Sequence, residues 1–148
     1  MDKKLLLSKS MTGAFAVLTI ALTVLGPLLV DLVCGWYAIP RNTLGNILLV
    51  SGYICSALAL VTLYEIFGLL AAISKGEVFT AANVRRIRMM SLLCAIAGVV
   101  AMIDGVVTRL FFLGTIGLAA LFMALLVRVV GDAFETARRM KGELDLTI

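Results

Sequence analysis

Histidine is absent from this sequence, and proline occurs only twice. Without His, the commonest general base, metal ligand and pH switch is missing. Ser/His/Asp catalysis and His-rich metal sites are therefore excluded. The three cysteines, Cys34, Cys55 and Cys94, form no CxxC pair. That leaves out a thiol oxidoreductase or a zinc ribbon, and the cysteines read as small apolar packing residues. Charge is scarce as well: Asp, Glu, Lys and Arg make up 15% of 148 residues, against about 25% in a soluble domain. No residue set calls for a cofactor or a metal.

Apolar residues fill the space that charge leaves, at 62% of the chain. A soluble domain of this length could not hide that much apolar surface, so the chain reads as an integral membrane protein in a lipid bilayer. Runs free of charge mark the spans: Ser10 to Val30, Asn42 to Tyr64, Met89 to Thr108 broken only by Asp104, and Leu110 to Val127. A bilayer core of about 30 Å needs about 20 helical residues. The expected architecture is all-α, an integral membrane four-helix bundle in a single domain over residues 1–148. Its spans are expected at about 11–33, 44–73, 88–110 and 111–131. The last helix is expected to extend into the cytoplasm, so that residues 132–148 form a helix and tail. Backbone groups in lipid must bond within the segment, which favours helices.

Eleven of the 13 basic residues fall in three regions: the N-terminus, the connection after span two, and the end of span four with the tail. Arg41 and Arg109 occupy the other two connections. By the positive-inside rule both termini are expected in the cytoplasm, in a multi-pass protein of the cell (plasma) membrane. The basic N-terminus precedes an apolar stretch too long for a signal peptide, so span one is expected to be a retained anchor. Gly26-Pro27 should kink it. Gly76 is expected to end span two's helix and Thr80 to cap the next. Spans three and four should form a tight hairpin around Arg109–Gly114. Small residues line up as Ser51/Cys55/Ala59, Ala97/Ala101/Gly105 and Gly114/Gly117/Ala120, as packing seams within the bundle or as a homo-oligomer interface.

Two carboxylates lie within apolar stretches, Glu65 and Asp104, and an intramembrane charge is a functional candidate by default. Counting residues separates them by roughly 13 Å along the membrane normal, so they are not an acid pair. Glu65 is expected to reach Arg128 or Arg88, and Asp104 to reach Arg109 or Arg41. Past Val130 the last helix becomes charged, with Glu135 and Arg139 in a favourable i,i+4 order. Gly142 is expected to end it. The remainder, Glu143-Leu144-Asp145-Leu146-Thr147-Ile148, would then be an extended peptide with its aliphatic residues on one face.

The loop Gly-x-x-Phe-Thr…Asn-Val-Arg-Arg-Ile-Arg at Gly76 to Arg88, the ending Glu-x-Asp-Leu-Thr-Ile at Glu143 to Ile148, and the four-span layout together resemble the prokaryotic family called domain of unknown function 2975. Val78 stands where members usually carry Pro. The family has no settled activity. The resemblance implies a genomic setting beside a small helix-turn-helix DNA-binding regulator. The leading expectation is therefore a non-enzymatic membrane protein acting in transcription regulation, which binds such a regulator at its cytoplasmic face. Direct nucleic-acid binding is not expected. The binding residues would be Gly76, Phe79, Asn83, Arg85, Arg86 and Arg88 of the loop, with Glu143, Leu144, Asp145, Leu146, Thr147 and Ile148 of the tail. The alternative is a small ion- or proton-coupled transporter or channel subunit using Glu65 or Asp104. Lys75, Arg85, Arg86 and Arg88 would also suit anionic lipid headgroups.

Overall fold

The computed structural model describes residues 3–147, and every described element is helical. In chain order these are α1 (Lys3–Val24), α2 (Gly26–Tyr37), a π-helical turn (Arg41–Gly45), α3 (Asn46–Ser74), α4 (Ala81–Thr108) and α5 (Phe111–Leu146). Four stretches are long and apolar enough to cross a membrane: Leu5–Val24, Arg41–Ser74, Ala81–Thr108 and Phe111–Leu146.

The expected kink falls at Leu25, between α1 and α2, with Pro27 in the first turn of α2. Pro has no N–H to lose there and its ring presets the helical φ. Leu25 N–H still reaches the Ala21 carbonyl at 2.9 Å and the Leu25 carbonyl accepts from Leu29 at 3.0 Å, so hydrogen bonding continues on both sides of the break. Ala38 in the left-handed region ends α2. Gly76, at φ +78°, turns the chain out of α3, where a Cβ would be strained. The Thr80 hydroxyl accepts the Asn83 N–H at 3.3 Å and caps α4. Arg109 in the left-handed region and buried Leu110 close the α4/α5 hairpin in two residues.

Packing follows chain order: α1 lies on α3, α3 on α4, and α4 most extensively on α5. The bundle is thus open, and its exposed faces are apolar, as suits contact with lipid. Glycine sets the closest approach. A Cβ on Gly98 would sit 2.9 Å from the Gly117 carbonyl oxygen, and one on Gly117 would sit 2.7 Å from that of Gly98. The small-residue stripes of α4 and α5 therefore face each other within one chain. Ser91 seals the seam by donating to the Ala124 carbonyl at 2.8 Å.

Antiparallel packing gathers three basic regions at one end of the bundle. There Lys9 donates to the Ser74 hydroxyl at 3.5 Å, tying the start of α1 to the end of α3. Arg41 and Arg109 lie at the other end, where Tyr37 of α2 stacks on Phe112 of α5 at 5.8 Å.

Two expectations about the tail are corrected. Gly142 does not end α5, which runs to Leu146. An interior Gly costs only about 1 kcal/mol, and no Pro or competing turn follows it. The Thr147 hydroxyl bonds back to the Glu143 and Leu144 carbonyls, at 3.0 and 2.9 Å. Residues 143–146 are therefore helical rather than extended, and Leu144 and Leu146 diverge by about 200° around the axis. Ile148 lies outside the described residues. The projection is also longer than the sequence implies: 12 residues of α5 follow Phe134, roughly 18 Å.

Candidate functional site

The basic end carries the most elaborate local structure. Asn83 is 1% exposed, and its amide nitrogen donates to two loop carbonyls, Glu77 at 2.7 Å and Val78 at 2.9 Å. The loop between α3 and α4 is thereby held from beneath. Its Phe79 packs on Phe134 of α5, ring centroids 5.5 Å apart, and stays 42% exposed. Loop and projecting helix thus form one continuous surface. Asn83, expected among the contact residues, lies under that surface and shapes it. An amide has the two donors that an unpaired pair of loop carbonyls requires.

The arginines of α4 part company. Arg85 is exposed. Arg86 turns toward α3, where its guanidinium lies 3.8 Å from Glu65. It crosses Gly68, one turn beyond Glu65, at a place where any Cβ would collide with it. Arg88 points the other way and lies 3.7 Å from Asp132 of α5. This corrects the expected pairing of Glu65 with Arg128 or Arg88. Successive helical residues turn by about 100°, so Arg86 and Arg88 occupy opposite sides of α4.

Beyond Phe134, Glu135 accepts from Arg138 at 3.0 Å and from Arg139 at 3.4 Å. The Arg138 hydrogen bond leads in holding the Glu135 carboxyl below the usual carboxylate range, and it raises Arg138 in return. From Arg139 to Thr147 every residue is exposed.

Asp104 sits near the opposite end of α4 and is 7% exposed. It faces Ser51 and Cys55 of α3 and forms no ion pair among the described residues. The expected pairing with Arg41 or Arg109 is corrected: Arg41 is held by Asp31 at 2.5 Å. The Thr108 hydroxyl donates to the Asp104 backbone carbonyl at 2.6 Å, a local bond that does not involve the carboxyl. Asp104 thus lies near the end of α4, whereas Glu65 of α3 meets Arg86 near its start, so the two carboxylates do not form a pair.

Sequence reasoning did not single out Phe134 or Asp132 as partners of the loop and of α4. Neither has a local signature, because each meets its partner 44 or 55 residues away in sequence. Their position two residues apart on α5, just past its apolar run, was the one available clue.

A family model described as "Protein of unknown function (DUF2975)" matches residues 34–148. The match takes in α3, α4, α5 and the loop between α3 and α4, while α1 precedes it. Neither a curated protein nor a solved structure matches the chain.

Proposed function

The chain belongs to the DUF2975 family, and from that premise we propose that it is a non-enzymatic membrane regulator. Its basic end faces the cytoplasm, on the positive-inside argument, and docks a small helix-turn-helix DNA-binding protein at the plasma membrane. The observation that carries this reading is the pinned loop. A connection between two spans needs only to reach, yet here Asn83 fixes the backbone and sets a half-exposed Phe79 against Phe134. A preset loop with an aromatic anchor lowers the ordering cost of binding. Arg85 and the exposed helix through Glu143, Leu144, Asp145, Leu146 and Thr147 extend the surface. The helical tail offers one side of a helix to its partner.

The test is to read the neighbouring genes for a small helix-turn-helix protein and to co-purify that protein with this chain. Capture by the full chain, lost on Phe79→Ala and weakened on deleting residues 143–148, supports the reading. Undiminished capture by a well-folded Phe79→Ala protein refutes it.

A second reading draws on Asp104 alone. A buried carboxyl beside a hydroxyl and a thiol, with no cation paired to it among the described residues, suits a proton- or cation-handling site in a transporter. Proton flux in vesicles that disappears with Asp104→Asn would favour it.

A further inference from the structure

Arg128 lies within an apolar run of α5, between Leu125-Leu126-Val127 and Val129-Val130. It forms no ion pair among the described residues. A cation in such a run is costly unless it meets an anion or reaches the headgroup layer. Arg128 lines a cavity of about 390 Å³ between α4 and α5, and Arg88 lines the same cavity from α4. Asp132 borders it too, 3.7 Å from Arg88, but both side chains are more than half exposed. Such a loose surface pair contributes little and yields readily to a stronger anion. The Ser91 hydroxyl is already committed to the Ala124 carbonyl, so the two guanidiniums are the donors an incoming anion would meet. Leu92 and Ala95 continue the wall toward the apolar part of the helices.

We propose that this cavity binds the phosphate of an anionic phospholipid between Arg88 and Arg128, with the acyl chain along Leu92 and Ala95. Guanidinium forks match phosphate oxygens, and two of them from different helices fix one headgroup where a single one would only attract it. The apolar wall favours a lipid over free phosphate, because free phosphate gains nothing from Leu92 and Ala95. The site does not depend on any protein partner.

The experiment is native mass spectrometry of the full chain in detergent, with phosphatidylglycerol or phosphatidylcholine added at equal concentration. Phosphatidylglycerol should be retained in preference. Arg88→Gln and Arg128→Gln should each lower its retention about five-fold. Lys75→Gln, with the same loss of charge at the same end, should leave retention unchanged. Asp132→Asn should raise it, because Arg88 is then free. Equal retention of both lipids, an equal loss in Lys75→Gln, or no rise in Asp132→Asn would overturn the site. Displacement of the lipid by inorganic phosphate at the same concentration would overturn the lipid assignment in favour of a soluble anion.

Discussion

Replacing Asn83 with Ala removes both bonds that hold the loop, to Glu77 at 2.7 Å and Val78 at 2.9 Å. Each is worth about 1 kcal/mol net, and leaving the two carbonyls short of a donor adds a fraction of their desolvation cost. The sum is about 2–3 kcal/mol, charged mainly to the loop, since the α4/α5 seam lies elsewhere. Local opening of the loop should then rise by roughly 30- to 150-fold. Hydrogen exchange reads this directly at Gly76 and Glu77. Their amides are protected by the Ile73 carbonyl at 3.0 Å and the Ala72 carbonyl at 3.1 Å. Asn83→Asp should be worse than Ala, because a carboxylate facing two carbonyls has no donor to offer. Unchanged exchange at Gly76 and Glu77 in a folded Asn83→Ala protein would refute the pin. A fall in thermal stability without faster loop exchange would likewise make Asn83 a packing residue only.

The hairpin offers a paired contrast. A Cβ on Gly105 meets the Gly114 nitrogen at 2.5 Å, whereas one on Gly114 meets nothing within 4 Å. Gly105→Ala should therefore cost about 1–3 kcal/mol in detergent unfolding, and Gly114→Ala almost nothing. Acid should loosen the projecting helix. The Glu135 carboxyl is lowered by Arg138 and Arg139, so its stabilisation is full above the ordinary Glu pKa and is lost as pH falls through the lowered one. Circular dichroism of the full chain should show helix loss in that acid range for the wild type, and the Glu135→Gln protein should show a smaller pH-dependent change. Reporter fusions at Ile39 and Lys75 should report opposite sides of the membrane, with the C-terminus on the side of Lys75. Agreement between Ile39 and Lys75 would remove the span between them.

Much of this protein is legible in the sequence because its determinants are local. Charge-free runs define the spans wherever the chain lies in space, since each backbone group must bond within its own helix. The Gly26-Pro27 bend, the Gly76 turn and the Thr80 cap also follow from the conformations of a few neighbouring residues. The tail is the local exception: Gly142 permits a stop without imposing one, and the Thr147 hydroxyl draws the helix onward.

Tertiary structure alone decided which charges meet between helices. Counting along a helix gives the depth of a side chain but not which way the helix is rotated about its axis. Depth placed Glu65 level with several arginines, and rotation chose Arg86 while turning Arg88 toward Asp132. That rotation is set by the glycine contacts of Gly98 and Gly117 and by the space above Gly68, which hold α4 in one azimuth between α3 and α5. The same azimuth leaves Asp104 beside Ser51 and Cys55, without an ion pair among the described residues, and brings Arg88 to the cavity of Arg128. Side-chain direction around a helix is fixed only when the helix packs, so these pairings belong to the assembled helices.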